Sequence, residues 1–468
     1  MNSSLFFNRS TLLRLLSVTL AFMATLSSCR EILEPPPVDL LVDELVLNEA
    51  SDVEAVRLGL YNAFRGIGAP LVIAGSFTAD FIQHNGTFTV YNELGNKQIT
   101  ATNAAAERYW GSIYSTIYIA NFIEERIATV PGVTEATKKQ VLAEARFLRG
   151  FVNFLGAHTF GGIPRVTTTT IATNRNIPRA TREDILNSVL ADYNAALPDL
   201  PNTNANKTLA KTFATKNAVR AALARYYLYQ KDWVQAEKLA SEIIATGLQT
   251  MPTDIATVFF QEVDDETIFE VAYANNSSDD PGTSTFSLND VLRGRREVIP
   301  ANTFILTMLE PNAGERRQTI SFDPTRQRGR DNGWSVVKYG SPDEANNNIT
   351  IFRLAEQYLI RAEARAQQGR IVGTNGAQAD INVLRQRAKA PNASLTTQAD
   401  ALLTIEKERV YELSFEGHRW YDLKRTNRIQ TVMAAFSPNW NEKFTLWPIP
   451  QSEIQRNDAL KGSQNPGY

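Results

Sequence analysis

Across residues 215–246 the chain reads as two helices joined by a break at Lys231-Asp232. Ala218, Ala222, Arg225 and Leu228 fall on one stripe, and Trp233, Ala236, Leu239, Ala240 and Ile243 on the next. Small alanines at facing positions let two antiparallel helices approach closely. The pattern returns at residues 351–368, with Leu354, Tyr358, Leu359 and Ala362, followed by residues 377–388, with Ile381, Leu384 and Arg385. A further helix is predicted over 399–415, carrying Leu402, Ile405, Arg409, Val410 and Leu413. One such pair cannot bury its apolar faces alone, so a chain of this kind is driven to stack its pairs.

Upstream, Tyr109, Trp110, Ile113, Ile117, Ala120 and Ile127 predict a helix over 103–128 that ends at Pro131-Gly132. Val141, Ala145, Leu148, Val152 and Leu155 predict its partner over 135–157, stopped by Gly161-Gly162. Thr181 with Glu183-Asp184 opens a third helix, turning Ile185, Val189, Tyr193 and Leu197 inward. Residues 249–349 change character. Glycine, proline, asparagine and aspartate become frequent, and the one clear strand is 267–273, with Phe269, Val271 and Tyr273 on one face and Ile268 and Glu270 on the other. Phe259, Phe260, Phe286, Phe304, Phe322, Trp334 and Tyr339 are too many aromatics for a disordered linker. The expected fold class is mainly α: a tetratricopeptide-like helical repeat scaffold with an inserted loop-rich lobe.

The front of the chain has the zones of a secretory signal, with Arg9 and Arg14 before an apolar run at residues 15–26. A spanning helix needs about 20 apolar residues, so this shorter run reads as a cleaved leader. Leu26-Ser27-Ser28-Cys29 then has the form of a lipobox, where a signal peptidase cuts before a cysteine carrying diacylglycerol. Several acyl chains on one residue anchor stably where a single chain binds only marginally. Residues 1–28 are thus expected to be a signal peptide and 29–49 a lipidated spacer stiffened by Pro35-Pro36-Pro37. Residues 50–468 form the body, with the scaffold at about 50–250 and 350–425 and the lobe at about 250–350. Cys29 is the only cysteine, and once it is lipidated no thiol remains for disulfides, thiolate catalysis or cysteine zinc sites. With only His84, His158 and His418 as imidazoles, neither a metal nor a cofactor is expected. A net charge of -2 argues against nucleic-acid binding and polybasic membrane attachment.

Several strings together resemble one family, the SusD/RagB nutrient-binding outer-membrane lipoproteins. They are Trp110 with Tyr114, Ile117 and Ala120-Asn121; Glu144-Ala145-Arg146-Phe147-Leu148-Arg149-Gly150 leading to Phe160-Gly161-Gly162-Ile163-Pro164; and Arg353-Leu354-Ala355-Glu356 with Ala362-Glu363-Ala364. Near the C-terminus come Glu408-Arg409, Glu412-Leu413, Phe415-Glu416-Gly417, and Arg419-Trp420-Tyr421-Asp422-Leu423-Lys424-Arg425. Leu446-Trp447-Pro448-Ile449-Pro450 and Asn465-Pro466-Gly467-Tyr468 close the chain. The resemblance spans nearly the whole body. It implies a Bacteroidetes surface lipoprotein that caps a TonB-dependent channel of the SusC or RagA type and delivers oligosaccharide or peptide, without chemistry on it. The competing expectation is an exported glycoside hydrolase or lyase, and a third is a structural adaptor without ligand.

The charged strings are read as scaffold, with Glu144, Arg146, Arg353, Glu356, Glu408, Arg409, Glu416, His418, Arg419 and Asp422 pairing along or between helices. A glycosidase needs two carboxylates roughly 5 to 10 Å apart across a cleft, and no pair stands out in the sequence. Phosphate loops, zinc-protease helices and nucleophile elbows are absent from it. Sugar recognition asks instead for an aromatic face rimmed by Asn, Asp, Arg or His. Two loop regions fit: Asp80, His84, Asn85, Phe88 and Tyr91 in the first, and Phe286, Asn289, Arg293, Arg295 and Trp334 in the lobe. They are expected to meet on one face. Arg293, Arg295, Arg296, Arg316, Arg317, Arg326, Arg328 and Arg330 crowd the lobe, where internal pairing or solvation is favoured over an anionic ligand.

Overall fold

The computed structural model describes residues 47–205, 210–260, 264–273, 282, 284–339 and 348–468. The expected leader, Cys29 and nearly all of the spacer lie outside the described residues. Ten helices carry the architecture: α1 (Asp52–Arg65), α2 (Ala104–Arg126), α3 (Glu135–Thr159), α4 (Arg182–Ala196), α5 (Lys216–Gln230), α6 (Trp233–Thr246), α7 (Leu354–Gln367), α8 (Ala377–Arg387), α9 (Gln398–Leu413) and α10 (Arg419–Arg425). Their starts are written locally. The side chains of Asn103, Thr134, Thr181, Thr215, Asp232 and Thr397 each accept a hydrogen bond from a backbone N–H in the first turn of α2, α3, α4, α5, α6 and α9. Between α5 and α6, Lys231 takes the left-handed conformation that closes one helix and Asp232 caps the next, so two residues reverse the chain.

Each helix packs on its neighbour, α1 on α2, α2 on α3, α3 on α4 and α5 on α6. The stack then continues across the inserted lobe, because α6 packs directly on α7, and α7 on both α8 and α9. Buried alanines line these contacts: Ala218, Ala221, Ala222 and Ala224 on α5, Ala236 and Ala240 on α6, and Ala355, Ala362, Ala364 and Ala366 on α7. Two helical blocks separated by about a hundred residues of sequence are one tetratricopeptide-like scaffold in space. Arg225 of α5 locks them together, donating to both carboxylate oxygens of Glu356 at 2.7 Å and to the Ile351 carbonyl at 2.7 Å. Among the described residues no helix is long and apolar enough to cross a membrane.

Among the described residues six short strands complete the fold: β1 (Ile82–His84), β2 (Thr267–Val271), β3 (Val298–Pro300), β4 (Ile320–Phe322), β5 (Trp334–Val336) and β6 (Ile349–Arg353). Antiparallel pairing of β2 with β6 closes the base of the lobe. Here the structure corrects the sequence reading twice. The strand ends at Val271 and buries every residue, so Ile268 and Glu270 do not form an outer face. Residues 351–353 belong to β6 and not to a helix, which begins at Leu354, because β2 supplies their hydrogen-bond partners. β1 pairs with β3, Ile82 opposite Pro300 and His84 opposite Val298, and this brings the N-terminal loop onto the lobe. Behind it Gly75 meets Gly417 so closely that a Cβ would lie 2.0 Å from the Gly417 carbonyl oxygen.

The charged strings are scaffold ties, and their partners come from other elements more often than from the next turn. Glu144 takes both Arg57 Nε (2.6 Å) and Nη2 (3.0 Å), Arg149 pairs with Asp192 and Glu124, and Arg425 with Glu363 and Asp422. Arg353, 1% exposed, binds Glu266, Glu412 and Glu416 at 2.6–2.7 Å. Around it Lys338 joins Glu416, Arg387 joins Glu266 and Glu412, and Arg316 and Arg385 join Glu408. This cluster fastens β6, the lobe, α8 and α9 at one point.

Candidate ligand-binding face

The turn after β1 is held from the lobe side. Glu297, buried beside β3, accepts the backbone N–H groups of Thr87 and Phe88 at 2.9 Å each through Oε2. The Asn85 and Gly86 amides donate to the Glu297 carbonyl, and Asn85 Nδ2 to the Arg296 carbonyl at 3.0 Å. Gly86 is required here, since a Cβ would fall 2.2 Å from the Glu297 carboxylate. With its backbone fixed in this way, Phe88 is turned outward, 41% exposed, at the start of the short helix Thr89–Gly95. Its ring stacks with Tyr91, centroids 6.5 Å apart and planes 21° from parallel. The Arg295 guanidinium lies 5.4 Å from the Phe88 centroid and is held by Asp290 at 2.9 Å.

Trp334 stands on the neighbouring hairpin of β4 and β5, and β5 packs against β3. Arg296 ties that hairpin down. In left-handed conformation it binds Asp331 through Nε at 2.7 Å, the Ser335 hydroxyl, and the Trp334 carbonyl at 2.9 Å. The half-buried Trp334 ring lies 5.2 Å from Phe322, which is 44% exposed. Both aromatic pairs thus rest on backbone locked by Arg296 and Glu297, consecutive residues at the entry to β3.

The other expected site residues divide. Asp80 is engaged by Arg419, which donates through Nε and Nη2 at 2.9 Å each, and Asn289 Nδ2 donates to the Tyr339 carbonyl at 2.7 Å. His84 sits within β1, where Asn92 Nδ2 lies 3.2 Å from Nδ1. This contact assigns the ring proton to Nε2. Burial lowers the His84 pKa and Arg330 lowers it further, against an opposing pull from Glu297, so the ring is a neutral donor near pH 7. Arg293 is half-buried, and its carbonyl accepts from Arg326. The side chain of Phe286 lies outside the described residues. The arginine crowd is largely paired: Arg295 with Asp290, Arg296 with Asp331, Arg316 with Glu408 and Arg326 with Asp323.

Sequence reasoning missed Phe322 and the two supports. Phe322 is one ring in a three-residue strand, and Glu297 works on backbone amides some 210 residues away, so neither leaves a local signal. Chemically, the face offers flat apolar rings and a guanidinium, which suits a hydroxylated ring ligand, while the His84 Nε2 is buried behind it. The Asp331 carboxyl, though burial would raise it, is held below its ordinary value by Arg296. Of the carboxyls raised by burial, Glu144, Asp192 and Asp380 are tied to arginines inside the scaffold, and Asp264 accepts the backbone N–H groups of Glu266 and Thr267.

Two family descriptions match the chain: "SusD family" over residues 331–439 and 426–468, and "Starch-binding associating with outer membrane" over 71–228. The chain is 23% identical to SusD-like protein P38 of Formosa agariphila, over 95% of this chain and 97% of that protein. It is 32% identical to the starch-binding protein SusD of Bacteroides thetaiotaomicron over 34% of this chain and 30% of that one. Among solved structures, a laminarin-binding SusD-like protein superposes with a TM-score of 0.76 at 22% identity, covering 90% of this chain and all of the other.

Proposed function

The chain belongs to the SusD/RagB family, and from that premise we propose that it captures a glycan on the face where the 82–91 loop meets the lobe and passes it to an outer-membrane transporter. The observation that carries this reading is the pair of outward aromatic ledges, Phe88–Tyr91 with Arg295 and Trp334–Phe322, on backbone fixed by Glu297 and Arg296. Rings held rigidly need little ordering when a sugar stacks on them, so more of the contact energy appears as affinity. Starch and laminarin are what two of the named relatives bind, and both are glucans, which makes a neutral oligosaccharide the first ligand class to test.

In this reading residues 1–28 are removed, Cys29 carries the lipid, and 29–49 tether the body outside the outer membrane beside a TonB-dependent channel. The tether keeps the local concentration of that partner high, so a modest interface persists. The body acts as a hinged lid, and closure is favoured only by contacts to ligand that the open state lacks. Reaction chemistry has no part in it. The test is to incubate the purified chain with a polysaccharide panel. Retention without new reducing ends supports capture. Turnover abolished by a single carboxylate substitution would replace this reading with a hydrolase or lyase, and absence of retention by every polysaccharide would leave a peptide ligand or an adaptor.

A further inference from the structure

Away from that face, a cavity of about 410 Å³ opens between α2, residues 164–175 and the C-terminal helix Gln451–Arg456. Its volume lies within the roughly 300–1,000 Å³ of small-molecule sites. It shares no lining residue with the loop-and-lobe face. The wall from α2 is aromatic: Trp110, Tyr114 and Tyr118 follow at intervals of four, so they lie along one side of the helix over about 12 Å. Trp110 and Tyr114 rings are 5.0 Å apart, and the Tyr114 hydroxyl donates to the Pro164 carbonyl at 2.8 Å, which fixes that ring. Trp110 forms the floor, braced edge-on against Phe160, while Tyr114 and Tyr118 remain half-buried at the opening.

Beyond the rings the lining is mixed, with Val166, Ile171 and Leu460 beside the polar Asn174, Arg175 and Glu453. Asn174 gives its Nδ2 to the Thr168 carbonyl, but its buried Oδ1 has no hydrogen-bond partner. Such an acceptor is costly to leave unsatisfied, and a hydroxyl entering the cavity would supply the donor. Arg175 is exposed at the rim, with Glu453 and Arg456 across from it, 3.1 Å from each other. An aromatic wall facing an amide, a guanidinium and a carboxylate matches a pyranose, whose C–H face stacks while its hydroxyls bond at the edge. An apolar peptide or lipid would leave these polar groups unpaired.

We propose that this cavity is a second sugar-binding site, independent of the first, which accepts a pyranose unit against Tyr114 and Tyr118 with Asn174 and Arg175 bonding its hydroxyls. The inference rests on the chain being a glycan binder. Two sites on one body hold a long polysaccharide more firmly than either alone when the chain reaches both, because the second contact is intramolecular.

Calorimetric titration of the purified chain with laminarihexaose and with maltohexaose tests it. The expected result is two classes of site for at least one sugar. Tyr118→Ala should weaken one of them by about tenfold. Arg175→Ala, at an exposed position that does not threaten folding, should weaken the same one, while Phe88→Ala weakens the other. One class of site that responds to Phe88→Ala and ignores both Tyr118→Ala and Arg175→Ala overturns the second site and leaves the main reading standing. No heat with either hexasaccharide overturns both.

Discussion

Replacing Arg353 with Met tests whether the buried ion cluster joins lobe to scaffold. The guanidinium makes five hydrogen bonds: to Glu266 (2.7 Å), to Glu412 (2.6 Å), twice to Glu416 (2.7 and 2.9 Å) and to the Glu412 carbonyl (2.7 Å). Methionine fills much of the volume but leaves Glu416 to Lys338, and Glu266 and Glu412 to share Arg387. Breaking a buried ion pair from one side costs about 3–5 kcal/mol, because the remaining charge is stranded. With a urea dependence of about 3 kcal/mol per M or more for a chain this long, the midpoint should fall by about 1 M at pH 7. The pH dependence gives a second handle. Burial alone would raise both carboxyls, but Arg387 and Arg353 hold Glu412 down, and Arg353 and Lys338 hold Glu416 down. The stability these groups give is complete above the ordinary carboxylate value near 4.3 and is lost as pH falls through their depressed folded values. In the variant they titrate higher and can take up protons in the folded state, so the gap between the two proteins should narrow between pH 7 and pH 4. Urea melts followed by circular dichroism at both pH values read this out. A loss under about 1 kcal/mol at pH 7, or a gap that does not change with pH, would refute the reasoning.

Two further outcomes follow from single contacts and a third from the expected lipid anchor. Gly75→Ala sets a Cβ against the Gly417 carbonyl with backbone on both sides, and should cost about 3 kcal/mol or more in a urea melt. Lys97 is buried with the Phe77 carbonyl as acceptor at 2.8 Å, and burial pushes its ammonium down to about 7 against the pull of Asp80. Its folded value is below the unfolded one, so the penalty is full below pH 7 and is relieved as pH rises toward 10.5. Stability should therefore climb from pH 7 to pH 9, and Lys97→Met should flatten that slope. Cys29→Ala should leave glycan affinity unchanged in titration while moving the protein out of the outer-membrane fraction and slowing growth on the retained polysaccharide.

The helices were legible because their signals are local. The cap at Thr181, the stop at Pro131-Gly132 and the alanine stripes of α5 and α6 each act within a turn or two, and apart from the start of α7 at Leu354 the observed ends fall within about two residues of those expected. β6 was not legible, since residues 349–353 become a strand only by pairing with β2 about 80 residues earlier, and burial on both faces erases alternation. The same limit applies to the ligand face. That the 82–91 loop and the lobe hold aromatics with polar neighbours could be read directly, and they do meet through β1 and β3. Which polar residues remain open to a ligand could not, because Asp80 and Asn289 look like rim residues until Arg419 and the Tyr339 carbonyl are seen to occupy them. The ion pairs follow the same rule: Glu144 finds Arg57 and Arg353 finds Glu416 across the fold, partners that no helical spacing announces.

Electrophoresis of the native chain through gels cast with laminarin or starch measures glycan capture at the proposed face directly. The chain should be retarded by at least one of them. Phe88→Ala combined with Trp334→Ala, with an unchanged circular dichroism spectrum, should lose about thirtyfold in affinity at this face for two stacking rings and run clearly ahead of the wild type, with only the retardation that the second site gives. Retardation of that double variant equal to the wild type would contradict the assignment of the face, and a wild-type chain unretarded by either polysaccharide would contradict glucan capture itself.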